Sequence, residues 1–207
     1  MLALALTVVL GGTSGSTPRG PSSSISTAAG SAPASGFAGA PLPTPSPARA
    51  FALSDPTGRP VRLSAYRGRV VILAFLSASA TGASPLIAQQ IRGALDDLGT
   101  GAAGREVAAL AVSADPRGDT PARIDRFLAQ VSLAGRLEYL SGPLAALRPI
   151  WRAYHVVAVP AGRAAFERAA QVLLIDPRGR ERVVFGVEQL TPEGLAHDVR
   201  RLLGETG

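Results

Sequence analysis

The chain has 207 residues, 46% hydrophobic and 17% charged, a globular composition with room for one core and a tail. Its formal charge is +6 and every basic residue is arginine; these are scattered, with no dense cluster and no interleaved aromatics, so a solvated arginine-rich surface is expected and no nucleic-acid interface. There is no cysteine, which excludes disulfides, thiolate nucleophiles and thiolate-held metals and leaves the redox compartment open.

In chain order, Leu2–Leu10 is an apolar run too short to span a bilayer. It resembles the core of a secretory signal, although the usual basic residues before it are missing. Residues 1–12 are therefore read as a signal-like segment, and the expected location is extracytoplasmic, secreted or tethered in a bacterial envelope. Leu10–Thr13 has the look of a lipoprotein box, with Thr13 where the lipidated cysteine must stand, so lipidation is not supported. Residues 13–49 are rich in Ser, Ala, Gly and Pro. Such a stretch buries too little to offset chain entropy, and it is expected to be a disordered tether. The folded domain is placed at residues 50–204.

Within that domain, "FALSDPTGRPVRLSAY" alternates around Asp55-Pro56-Thr57-Gly58 and predicts a β-hairpin. "GRVVILAFL" and "EVAALAVS" are apolar on both faces, as in strands of a covered parallel sheet. "QVLLID" and "RVVFG" flank a turn at Asp176–Arg180 and predict a second hairpin. Ser84-Pro85, Thr120-Pro121 and Thr191-Pro192 each suggest a hydroxyl cap followed by proline in the first helical turn. Behind them, Leu86/Ile87/Ile91/Leu95/Leu98, Ile124/Phe127/Leu128/Val131 and Leu195/Val199/Leu202/Leu203 repeat at helical spacing. Leu144, Leu147, Trp151 and Tyr154 mark a further helix, bent or interrupted at Pro149. This order predicts an α/β domain with a central mixed sheet flanked by helices, opened by an N-terminal hairpin; a thioredoxin-like fold fits it.

Few residues offer site chemistry. His155 reads as a helix-end or strand-edge residue and His197 as solvent-exposed; two isolated histidines make no metal site by spacing. Asp115 and Asp119 in "ADPRGDTP" suit turn and helix-start chemistry. Asp96 and Asp97 are adjacent on a helix and do not face each other. "LGTGAAG", with Gly99, Gly101 and Gly104, follows a helix and is not the strand-to-helix turn of a phosphate loop.

The stretches "FALSDPTGRPVRLSAYRGRVVILAFL", "SPLIAQQIRGALDDL", "VSADPRGDTPARIDRFL" and "LIDPRGR" resemble the SCO/SenC family over roughly residues 51–203. The resemblance implies a thioredoxin-fold copper-binding protein of the bacterial envelope or mitochondrial inner membrane, linked to copper delivery and cytochrome c oxidase assembly. It also implies a Cys-x-x-x-Cys-Pro motif after the first buried strand and a later histidine, which together hold copper. Matching that motif's proline to Pro85 puts Ala80 and Ser84 at the cysteine positions. Counting back from Asp176 puts Arg168 at the histidine position. Alanine has no lone pair, a hydroxyl is a poor ligand for a soft metal, and a guanidinium repels a cation.

No catalytic, cofactor or metal residue is therefore assigned and no cofactor is expected. The expected function is a ligand-less accessory or binding module whose partners are proteins of the copper and oxidase-assembly pathway. Neither nucleic acid nor enzymatic activity is expected, and membrane association is expected through the N-terminal segment alone. A working copper metallochaperone, with substituted ligands or an unusual site through His155 or Asp115, stays open as the alternative. A thiol-disulfide reductase or peroxiredoxin-like enzyme is disfavoured for want of a thiolate. An Arg168–Asp115 ion pair filling the vacated site is a further expectation.

Overall fold

A computed structural model describes residues 36–79 and 81–205. The signal-like segment, most of the expected tether and Ala80 lie outside them.

The two apolar runs form parallel neighbours at the sheet's centre, β4 (Val70–Leu76) and β5 (Val107–Ser113), and every residue of both is buried. Residues on successive positions face opposite sides of a strand, so β4 divides its side chains between two cores. Val70, Ile72, Ala74 and Leu76 meet one set of helices: α1 (Ala83–Leu98), α3 (Pro121–Gln130) and α6 (Pro192–Gly204). Val71, Leu73 and Phe75 meet α4 (Leu144–Ala153) and the hairpin β2 (Ala52–Ser54)/β3 (Pro60–Arg62). Full burial of each large side chain contributes roughly 2 kcal/mol.

Parallel β6 (Leu137–Leu140) flanks β5, and β7 (Gln171–Ile175) runs antiparallel on the other side of β4, followed by β8 (Arg180–Gly186). The sheet is six-stranded, in the order β1-β8-β7-β4-β5-β6. The two predicted hairpins are present. In the first, Asp55 accepts from the Thr57 hydroxyl and the Thr57 and Arg59 amides, while Gly58 takes φ +89°. In the second, Arg180 donates its amide to Asp176 and Gly179 takes φ +75°.

Four expectations need correction. First, the folded domain begins before residue 50: β1 (Ala40–Pro47) pairs antiparallel with β8 inside the stretch expected to be tether. Phe37 is buried, with the guanidiniums of Arg182 and Arg201 over its ring, and buried Asp198 accepts the amides of Ala38 and Gly39 at 2.8 and 2.9 Å. A segment poor in apolar groups is ordered by a partner carboxylate distant in sequence. Second, Ser84 does not cap α1. The N-cap is Gly82, at φ +84°, where a Cβ would run into the Glu167 carboxyl group. Thr120 holds the N-cap position of α3 without a side-chain bond, and only Thr191 does what the sequence pattern suggests, accepting from Gly194 at 3.1 Å. Third, a short helix, α5 (Arg163–Ala169), precedes β7 unannounced; Phe166 is its single buried residue. Fourth, α4 continues through Pro149. A four-residue helix, α2 (Ala102–Arg105), occupies the loop after α1.

Candidate functional site

At the carboxyl ends of β4 and β5, several stretches meet: residues 77–79, 81–82, 114–120, 155–162 and α5. The Val159 amide bonds the Ala114 carbonyl at 3.0 Å, joining two of them through the backbone. Asp119, buried, accepts the Ala78 amide at 2.7 Å, the Ser113 hydroxyl at 2.5 Å and the Tyr139 hydroxyl at 2.8 Å. Tyr139 also lies 2.8 Å from the Leu76 carbonyl, so its single proton is shared between two acceptors. Trp151 donates from Nε1 to the Ser113 carbonyl at 3.0 Å. Burial raises the Asp119 carboxyl above its ordinary range, against the lowering effect of these donors. Burial and the adjacent Asp119 push the Tyr139 hydroxyl well up.

The three positions matched to copper ligands fare differently. Ala80 lies outside the described residues. Ser84 is buried, and its hydroxyl accepts the Ser77 amide at 3.0 Å, tying the first turn of α1 to the end of β4. Arg168 is exposed on α5. Its helix does reach the loop: Arg163 donates to the Ser79 hydroxyl at 3.1 Å, and Glu167 packs on Gly82. The expected Arg168–Asp115 ion pair is not formed. Among the described residues no carboxylate lies within 4 Å of Arg168. Asp115 instead folds back on its own turn, accepting the Gly118 amide.

The histidines are placed as their sequence context suggests. His155 is exposed immediately beyond α4, at φ +55°, where its amide bonds Arg152 and the next amide bonds Trp151, closing the helix end. His197 is exposed on α6, with Nδ1 2.9 Å from Asp198 Oδ1. Asp96 pairs with Arg92 and Arg136, and Asp97 with Arg200. Among the described residues, no cluster of three or more His, Cys, Asp or Glu could hold a metal. None of the helices there is long and apolar enough to cross a membrane.

Sequence reasoning missed the role of Asp119. Its partners Ala78 and Tyr139 are 41 and 20 residues away, and the only local signal, an acid before Thr-Pro, reads as helix-start chemistry. A cleft of about 1050 Å³ lies away from these loops, beside β6. Much of its charge is internally matched: Arg59 pairs with Asp55 and Glu138, and Arg136 with Asp96.

Copper cargo is not fitted by this arrangement. The sequence has no sulfur ligand but Met1, Ser84 is committed to an amide, and Arg168 carries a fixed positive charge.

Among solved structures, the chain is similar to apo Sco1 from Thermus thermophilus, with 26% identity, a TM-score of 0.67, and coverage of 81% of this chain and 97% of that one. It is also similar to copper-bound ScoI from Bradyrhizobium japonicum, with 28% identity, a TM-score of 0.63, and coverage of 76% and 100%. A thioredoxin domain of a thiol-disulfide oxidoreductase from Bacteroides vulgatus shares the fold at 16% identity and a TM-score of 0.58, covering 78% and 99%. No curated protein sequence matches. The SCO1/SenC family model matches residues 40–204, from the first residue of β1 to the last of α6. The chain belongs to the SCO1/SenC family.

Proposed function

We propose that this chain is an extracytoplasmic accessory or binding module of the copper-delivery and oxidase-assembly pathway, without a copper ligand set and without enzymatic activity. The observation that carries the reading is the state of Ser84: its hydroxyl sits at the position matched to a family cysteine and serves as an internal strut. With no cysteine anywhere, the same loop offers no thiolate to a peroxide or a disulfide. One solved relative is described as copper-bound and another as a member of a family of cytochrome c oxidase assembly proteins; protein partners of that pathway are the corresponding expectation here.

The test is a Cu(I) titration of the purified full chain against a competing chelator. No one-to-one uptake is expected from the natural sequence. The combined Ala80→Cys, Ser84→Cys and Arg168→His variant is expected to gain it. Tight stoichiometric uptake by the natural sequence would replace this reading with that of a working metallochaperone using an unusual site. Thiol-dependent turnover of a disulfide or peroxide by the pure protein would contradict the non-enzymatic part.

A further inference from the structure

We infer that the end of the domain opposite the candidate site docks on an anionic lipid surface through Arg49, Arg67, Arg178 and Arg180. The inference rests on the envelope location proposed above and extends membrane association beyond the N-terminal segment.

These arginines are dispersed in sequence and gathered by the fold. The β7–β8 turn carries Arg178 and leads into Arg180. The chain leaving β1 lies against that turn, with the Ala48 amide bonded to the Gly179 carbonyl at 2.9 Å, which brings Arg49 there. The segment before β4 is held from the other side, with the Gly68 amide bonded to the Pro177 carbonyl at 2.9 Å. Arg67 lies over Gly179, in space that a side chain at 179 would fill.

All four arginines are exposed, and among the described residues none has a carboxylate within 4 Å. The nearby carboxylates are already engaged. Asp176 is buried, accepting from the Arg180 amide and Arg182, and Glu181 is half-buried, its carboxyl raised by burial against the lowering effect of the nearby Arg49 amide. The positive charge at this end is therefore uncompensated, and guanidinium groups match phosphate oxygens in forked pairs.

Two observations favour a membrane over a nucleic acid. The aromatic rings beside these arginines are taken up elsewhere, since Tyr66, next to Arg67, donates its hydroxyl to Glu138 and lies under Arg69, and Phe51 is buried, so neither is presented to stack on a base. The polypeptide also joins the domain nearby: Phe37 lies under Arg182, two positions along β8 from Arg180, and the apolar run Leu2–Leu10 lies upstream. Docking there turns the carboxyl ends of β4 and β5 away from the lipid, leaving the candidate site open to protein partners.

The experiment is co-sedimentation of the full chain with vesicles of pure phosphatidylcholine and of a phosphatidylcholine–phosphatidylglycerol mixture, at low and high salt. Binding is expected to be stronger to the mixture, and that preference is expected to fade with salt. The Arg178→Ser/Arg180→Ser double variant should lose about fivefold of the preference per arginine. Arg178→Lys/Arg180→Lys should keep most of it, and Arg117→Ser/Arg168→Ser at the other end should keep all of it. Circular dichroism checks that each variant folds.

An equal preference in the double serine variant, no preference for the anionic vesicles at all, or binding to a short DNA duplex without binding to vesicles would overturn the inference. None of these readings involves copper or a protein partner, so this failure is separable from failure of the proposed function.

Discussion

Asp119 and Asp198 are both buried carboxylates that fasten a stretch of chain remote in sequence, yet they do so with different donors. Asp198 accepts two fixed amides, those of Ala38 and Gly39. Asp119 accepts one amide and two hydroxyls, and hydroxyls can rotate to other acceptors. The first is a rigid clamp on the chain's entry into the domain. The second is an adjustable one on the loop that follows β4. The contrast shows that a loop can be fastened at its backbone by a carboxylate 41 residues away, with donors that are fixed in one case and rotatable in the other.

The largest expected effect tests the rigid clamp. Asp198→Ala strands two amides near the core and should cost about 3 kcal/mol in urea unfolding, with faster hydrogen exchange along residues 37–48. A loss under about 1 kcal/mol would mean that water reaches those amides and that the clamp is not one. Next, Asp119→Ala should cost about 2 kcal/mol and release the Ala78 amide to exchange, whereas Asp119→Asn should lose less than half of that, because its carbonyl still accepts from Ala78. Equal losses in the two variants would make the charge, not the geometry, the source of the stability.

Acid behaviour sharpens the comparison further. The folded Asp119 carboxyl is held above the unfolded value of 3.8, so the folded state binds the extra proton. Its contribution to stability is therefore present at low pH and declines as pH rises from near 3.8 through the raised folded value. Asp55 runs the other way. The Thr57 hydroxyl leads the causes that hold it at about 2, so its contribution is present above 3.8 and is lost as pH falls towards about 2. Urea midpoints measured across this acid range should show Asp119→Asn removing a falling slope and Asp55→Asn removing a rising one; the Asp55 effect is the smaller, because that turn is exposed. The smallest change is expected from Arg168→Ala, within about 0.5 kcal/mol of the natural sequence. A larger loss would point to a contact of Arg168 within the loop cluster.

The parts of the fold legible in the sequence were those governed by short-range periodicity. The unbroken apolar runs of β4 and β5 and the spaced apolar residues of α1, α3, α4 and α6 sit where their patterns put them, except Leu86, which the spacing assigns to the apolar face of α1 and which is exposed. Both hairpin turns followed from Asp and Gly at the positions such turns require. What escaped depended on distant partners. β1 has almost no apolar side chains; it is held by β8, and the residues just before it by Asp198, some 130 to 160 residues downstream. In α5, Phe166 alone is buried, too little for a periodic signal. At the candidate site, the family resemblance located the loop, whereas the cap role given to Ser84 failed because a buried strand end competed for the same hydroxyl. The basic end was illegible for a similar reason, since its arginines come from three separated segments.

The prolines of β1 carry one more consequence. Ala40 and Pro41 sit opposite Val184 and Val183, and Ser46 and Pro47 opposite Glu181 and Arg180. Neighbouring residues on a strand direct their amides alternately towards and away from the partner, and proline can stand only where the amide would point away. Pro41, Pro43, Pro45 and Pro47 have no amide hydrogen to offer an incoming strand, and the register with β8 slips between Pro41 and Ser46, so this margin of the sheet is a poor template for further pairing. A second polypeptide is not easily stitched on there, so the stretch that looks least structured in the sequence acts as a selvedge, finishing the fabric against unravelling into fibres.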